Sequence, residues 1–164
     1  MSASLRPESS PGYLVNHLGR LLAHALRDRI APYGVVPGQF AQLLVLYESD
    51  GLTQAELCAR VQIEQPTMAK TLARMERDGL ITRTPDPLDQ RRSRVWLTAH
   101  ARRLEPDLVA AAQAVNAVAT QGLTESEIAA FRTVLGAAIA NLEAARAPGG
   151  PLARTEETTR EMKR

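Results

Sequence analysis

The stretch that decides the fold begins Gln65-Pro-Thr-Met-Ala-Lys-Thr-Leu-Ala-Arg-Met-Glu-Arg-Asp-Gly79. It continues Leu80-Ile-Thr-Arg-Thr-Pro85 and closes Ser93-Arg-Val-Trp-Leu97. Met68, Leu72 and Met75 fall at i, i+4 and i+7, one side of a helix. Pro66 suits the first turn, where a missing N–H costs little, and Gly79 suits the stop. Residues 80–85 and 93–97 alternate like strands, with Val95 and Leu97 on one face. The turn-rich Asp86-Pro-Leu-Asp-Gln-Arg91 joins them into a hairpin. A short helix pair running into such a hairpin is a winged helix-turn-helix.

Upstream, Thr53-Gln-Ala-Glu56 is a capping box that opens a short helix carrying Leu57 and Val61. Before it, a helix after Pro37 places Phe40, Leu43, Leu44 and Tyr47 on one stripe and ends at Asp50-Gly51. From Tyr13 to Ile30 the apolar residues Leu14, Leu18, Leu21, Leu22, Ala25 and Leu26 recur at helical spacing, closed by Pro32 and Gly34. Downstream, Thr98 is placed to cap a long Ala-rich helix towards Gln121. Thr124-Glu-Ser-Glu127 is a second capping box. The helix it opens is expected to bury Ile128, Phe131, Leu135, Ile139 and Leu142, and Ala147-Pro-Gly-Gly-Pro151 ends it. The fold class is therefore mainly α with a small β-hairpin wing. Residues 37–98 form the winged-helix lobe, residues 11–36 and 99–146 the flanking helices, and residues 1–10 and 147–164 flexible tails.

Composition narrows the function. At 164 residues, 45% hydrophobic and 23% charged, the chain is a globular domain rather than a disordered one. Aromatics at 4% are too few for a base-stacking platform on single strands. The lone Cys58 excludes a disulfide framework and a Cys-rich metal site. No apolar run approaches the roughly 20 residues of a membrane span, and no signal peptide is legible, so no membrane partner is expected and the location is cytoplasmic. Net charge is only +2, but residues 51–100 carry eight basic against six acidic residues, while each flank balances. The excess thus lies on the lobe that would face phosphates.

Enzymatic signals are missing. There is no Gly-rich phosphate loop, and His17, His24 and His100 lack a partner at zinc-protease spacing. Cys58, preceded by Leu57 in a helix, reads as a small buried residue. No catalytic residue, cofactor or metal is expected.

Residues 51–98 resemble the MarR family of bacterial transcription regulators. The resemblance is carried by Gly51-Leu-Thr-Gln-Ala-Glu-Leu57, by Gln65-Pro-Thr-Met to Gly79-Leu-Ile81, and by Asp89-Gln-Arg91 followed after five residues by Leu97-Thr98. It implies a homodimer held by the first and last helices. It also implies a sequence-specific double-stranded DNA-binding lobe, and a signal, small-molecule or redox, that weakens DNA binding. Two positions depart from the pattern. Glu64-Gln65 stands where a Ser or Thr often caps the recognition helix, and Ala101 stands where a glycine is common.

The helix from Gln65 is expected to present Gln65, Pro66, Thr67, Lys70, Thr71 and Arg74 to the major groove. Glutamine can pair with adenine, Lys or Arg with guanine, and a Thr methyl with thymine. Thr53 and Gln54 are candidates for a phosphate contact. In the wing, Arg91, Arg92 and Arg94 cluster, and Arg91 matches the family arginine that enters the minor groove. Asp89, two residues earlier, is expected to hold the Arg91 guanidinium by a charge-assisted hydrogen bond. The bland alternatives are a solvated helix face and a hairpin tip with incidental ion pairs. A winged-helix protein-docking module without DNA binding is the competing functional class, distinguished by having no need to align helix and wing cations.

The first helix carries a polar row of Tyr13, His17, Arg20 and His24 on one face. With the resemblance, this row is a candidate site for a small aromatic acid, Arg20 pairing its carboxylate; otherwise it is solvated surface or packs across a dimer. The last-helix stripe of Ile128, Phe131, Leu135, Ile139 and Leu142 is the candidate dimer interface, and two-fold symmetry predicts a palindromic operator.

Overall fold

A computed structural model describes residues 6–152 apart from 90 and 148. Most of the expected tails, 1–5 and 153–164, lies outside the described residues. Pro7–Ser9 instead forms a 3-10 turn, and the Ser10 hydroxyl accepts a hydrogen bond from the Tyr13 amide at the start of the first helix. The chain forms two compact units, one up to Ala119 and one from Thr120.

The first unit opens with α1 (Pro11–Ile30), stopped by a 3-10 turn and by Gly34 in the left-handed region. α2 (Pro37–Glu48) follows. Its buried residues are Phe40, Leu43 and Leu46 with Gln39 and Gln42, whereas Leu44 is exposed and Tyr47 half-buried. The single stripe expected from sequence is thus corrected. α2 packs against α1, α3, α4, α5 and β3, so its buried surface spans more than one row.

α3 (Gln54–Val61) and α4 (Gln65–Arg77) form the helix-turn-helix, and β2 (Ile81–Pro85) with β3 (Ser93–Leu97) the wing. Ile81 pairs with Leu97 and Pro85 with Ser93, in antiparallel register. A third strand, β1 (Leu52–Thr53), lies on the other side of β3, giving the order β1-β3-β2. Two residues have no alternation to read, so this strand was illegible as a pattern. α5 (Ala99–Ala119) completes the unit, with Thr98 Oγ1 accepting from the Ala101 amide at 3.1 Å. The core is one cluster drawn from all these elements, centred on Ile30, Leu43, Leu46, Leu57, Met68, Leu72, Met75, Ile81, Val95 and Leu108. Fully burying each such side chain contributes roughly 1.5–3 kcal/mol.

Gly51 is required where it stands. Its φ is +74°, and a Cβ there would enter the indole ring of Trp96 on the outer face of the sheet. The indole N–H donates to Thr84 Oγ1 at 3.0 Å, fixing the ring across the strands.

Polar struts tie the wing to α5 and α5 to α2. Asp50 accepts from the Leu97 amide at 2.9 Å and pairs with Arg102. The Tyr47 hydroxyl donates to the Ala101 carbonyl at 2.9 Å. Burial, with Glu105 nearby, pushes the Tyr47 phenol up to about 12.

The second unit contains α6 (Glu125–Arg146), opened by the expected capping box. The Thr124 amide donates to Glu127 at 2.7 Å, and this bond holds the Glu127 carboxyl below its ordinary range. The stripe that the sequence expects α6 to bury is not covered on the single chain. Ile128 and Leu135 are half-buried, while Phe131, Ile139 and Leu142 are exposed. By length and composition only, α6 is long and apolar enough to cross a membrane. Its many alanines raise the mean hydropathy without building a continuous run of large apolar residues.

Candidate nucleic-acid interface

α4 buries Met68, Leu72 and Met75 completely. The rest of its surface is open: Gln65, Pro66, Thr67, Lys70 and Arg74 are exposed, and Thr71 is half-buried. The Thr71 hydroxyl donates back to the Thr67 carbonyl at 3.0 Å. Lys70 has no ion-pair partner among the described residues, while Arg74 lies 3.5 Å from Asp78 one turn on. Glu64 is the N-cap residue and makes no side-chain cap, as its departure from Ser or Thr implied.

Asp78 is a junction. Buried Gln39 donates to it at 2.7 Å and accepts from the Val36 amide, tying the start of α2 to the end of α4. That hydrogen bond, then Arg77 and Arg74, holds the Asp78 carboxyl below the usual range. Arg77 was missed in sequence. It is exposed, 3.6 Å from Asp78, and the steps of 4 and 3 from Lys70 through Arg74 could have found it.

At the start of α3, Thr53 is buried and committed to its capping box. Its amide and hydroxyl both donate to Glu56, which keeps the Glu56 carboxyl low. Thr53 therefore organises the helix start and has no hydroxyl donor left for a phosphate. Gln54 remains half-buried beside Gln65.

The wing is arranged differently from the sequence expectation. Asp89 Oδ1 accepts from the backbone N–H of Arg91 at 3.0 Å, and Asp89 Oδ2 lies 3.3 Å from the Arg92 guanidinium. The Arg91 guanidinium is left without a partner among the described residues. The expected carboxylate–guanidinium bond is replaced because the tight turn brings the amide of Arg91 within reach of Asp89 first. Arg94, expected on DNA, points inward. It pairs with buried Asp86 at 3.1 Å and donates to the Gly51 carbonyl at 3.0 Å. Asp86 also accepts from the Leu88 amide, and that bond, then Arg94, depresses its pKa. Arg94 is a strut between the wing and β1.

Sequence reasoning also missed Arg83 on β2. With Arg91 and Arg92 it lines a depression of about 250 Å³ completed by Thr84, Pro85 and Ser93. Arg83 Nε lies 3.2 Å from Glu76 of α4, outside hydrogen-bond geometry. Register shows why it belongs there: Arg83 sits opposite Val95, one strand across from the arginine-rich end of β3.

The row on α1 stays on the surface of the chain. Tyr13 stacks on His17 with ring centroids 6.2 Å apart, and Arg20 donates to Asn16 at 2.5 Å and faces His17 at 3.4 Å. His24 is exposed one turn further. Cys58 is buried, and burial pushes its thiol up, away from thiolate chemistry. Among the described residues no group of acidic, His and Cys side chains could hold a metal ion.

A lobe that offers a polar helix face and a basic hairpin beside it, both braced from behind, is a winged-helix DNA-binding lobe. The model of the MarR family matches residues 33–92. A MarR family transcriptional regulator from Silicibacter pomeroyi is 30% identical, with a TM-score of 0.71, over 86% of this chain and 95% of its own. The PcaV transcriptional regulator from Streptomyces coelicolor, solved with its natural ligand, is 26% identical with a TM-score of 0.77, over 84% and 96%. The HTH-type transcriptional repressor Mb2911 of Mycobacterium bovis is 27% identical over 131 residues, 80% of this chain and 94% of that protein. The chain belongs to the MarR family: it is a DNA-binding transcription regulator, and its relatives are regulators rather than enzymes.

Proposed function

We propose that the protein is a ligand-responsive repressor that binds a palindromic operator as a homodimer, in the cytoplasm where the chromosome lies. The observation that carries the DNA contact is the Arg91 guanidinium, without a partner among the described residues, at the wing beside the open face of α4. The flanking helices 11–36 and 99–146 serve dimerisation in this reading. Its support is exposed apolar surface that a monomer would leave wet: Leu14, Val15 and Leu21 on α1, and Phe131, Val134, Ile139 and Leu142 on α6. A groove of about 240 Å³ between α1 and α5, lined by Leu18, Leu22, Val115 and Val118, adds to it. Two copies related by a two-fold axis would set their recognition helices about one DNA turn (~34 Å) apart.

The effector in this reading is a small aromatic acid. Arg20 spends two contacts on Asn16 and His17 and keeps further N–H donors for a carboxylate, and the Tyr13–His17 stack offers an aromatic surface beside it. Because the row is exposed on one chain, the partner copy must wall the site. The ligand acts by favouring a dimer whose recognition helices are wrongly spaced for DNA. The Mycobacterium bovis relative, named a repressor, supports the direction of control. Sequencing the genomic DNA retained by the purified protein tests the reading. Enrichment of one palindrome upstream of a few genes is expected, and uniform recovery of genomic fragments overturns it.

A further inference from the structure

Gln54 and Gln65 open consecutive helices, and their side-chain amides meet. Gln54 Nε2 donates to Gln65 Oε1 at 2.8 Å and also faces the Gln65 backbone carbonyl at 3.4 Å. A backbone carbonyl oxygen can only accept, so the Gln54 atom facing it is the nitrogen. The Gln65 atom that the same nitrogen meets is then the oxygen. Two acceptors on one element thus set the orientation of both amides, whose ends are otherwise interchangeable. Gln65 keeps both N–H donors of Nε2 and one lone pair of Oε1, and none of these has a partner among the described residues.

A donor and an acceptor side by side complement adenine, which shows an N7 acceptor and an N6 donor in the major groove. Guanine shows two acceptors, thymine an acceptor and a methyl, cytosine a donor. Gln65 is exposed on the first residue of α4, where recognition helices reach base edges. Gln54 is half-buried, and its backbone is pinned by the Thr53–Glu56 capping box immediately before it. We propose that Gln65 reads one adenine in each half-site through both atoms of its amide, and that Gln54 is the positioning residue holding that amide in the reading orientation. The proposal rests on the DNA-binding reading above and adds a base identity to it. Ordering the amide before DNA arrives also removes rotamer entropy that an isolated glutamine would lose on binding.

The test is selection of duplexes from a random pool by the full-length protein and by its Gln65→Ala, Gln65→Glu and Gln54→Ala variants, followed by sequencing. The parent is expected to prefer adenine at one position of each half-site, by on the order of tenfold or more over other bases. Gln65→Ala should lose that preference alone, with the rest of the site unchanged. Gln65→Glu replaces the donors by acceptors and should move the preference towards cytosine, whose N4 donates. Gln54→Ala should weaken the preference at the same position, and should do nothing further in a Gln65→Ala background. Replacing the adenine by 7-deazaadenine should lower affinity for the parent but not for Gln65→Ala. A selected palindrome in which Gln65→Ala changes no base preference overturns the proposal and leaves DNA binding standing. So does a Gln54→Ala variant that keeps the full adenine preference, for the positioning role. A parent that enriches no sequence overturns the DNA-binding reading itself, and this proposal with it.

Discussion

Asp89 binds the backbone amide of Arg91 and not its guanidinium, so the carboxylate shapes the wing turn while the arginine head has no partner among the described residues. Two substitutions separate these roles. Arg91→Ala should weaken operator binding by about 1–3 kcal/mol, the scale of a groove contact. Asp89→Asn retains an oxygen for the Arg91 amide and removes a negative charge near phosphates, so binding should hold or tighten. Asp89→Ala loses the turn bond and should bind more weakly than Asp89→Asn. Fluorescence anisotropy at fixed salt measures all three, and equal behaviour of the Ala and Asn variants would show that the turn bond is irrelevant.

Lys70 and Arg94 should part company in a salt titration. Lys70 is exposed and has no ion-pair partner among the described residues, so Lys70→Ala should reduce the slope of log K against log salt by about 1 and leave thermal stability unchanged. Arg94 is a strut between Asp86 and Gly51. Arg94→Ala strands a buried carboxylate and should lower Tm, with little change in the slope for the folded fraction. A normal Tm with a reduced slope for Arg94→Ala would return that residue to the DNA surface.

Leu135→Asp places a charge in the middle of the α6 stripe. The variant should run as a monomer in light scattering at micromolar concentration and lose operator binding together with dimerisation. A dimeric Leu135→Asp variant would move the interface elsewhere.

Tyr47 gives an alkaline signature. Its folded pKa of about 12 lies above the ordinary value near 10, so the folded state favours the neutral phenol. That stabilisation is complete below pH 10 and is lost as pH rises through about 12. Tyr47→Phe should lose about 0.5–1.5 kcal/mol at neutral pH, the worth of its bond to the Ala101 carbonyl. It should also show a shallower decline in stability between pH 10 and 12, read by urea unfolding at each pH.

Arg20 should carry the response to aromatic carboxylates. A salicylate-sized acid titrated into a preformed complex should release DNA from the parent but not from Arg20→Ala, which should still bind the operator. Release from both, or from neither across a panel of such acids, would leave the α1 row as plain surface.

The winged helix was legible because its signals are local. Met68, Leu72 and Met75 mark the inner face of α4 by spacing alone, the capping boxes at Thr53 and Thr124 both formed, and Val95 and Leu97 alternate inward. What stayed hidden depended on distant partners. β1 exists because Leu52 meets Val95, more than forty positions away, and Arg94 turned inward because Asp86 and Gly51 converge on it. Local pattern also cannot tell whether an apolar stripe meets its own chain or another, and the α6 stripe is such a case. In the candidate site, the cations of α4 were visible by period, whereas Arg83 joined Arg91 and Arg92 only through strand pairing.

The chain has a single tryptophan, and it lies in the middle strand of the wing sheet, over Gly51 and bonded to Thr84. Every photon of indole emission therefore comes from the strand that leads directly out of the Arg91 turn. Trp96 is more than a third exposed, so its emission wavelength responds to the water over the outer face of the sheet. Unlabelled protein can thus report wing movement directly, in stopped flow, with the native chain as its own optical sensor.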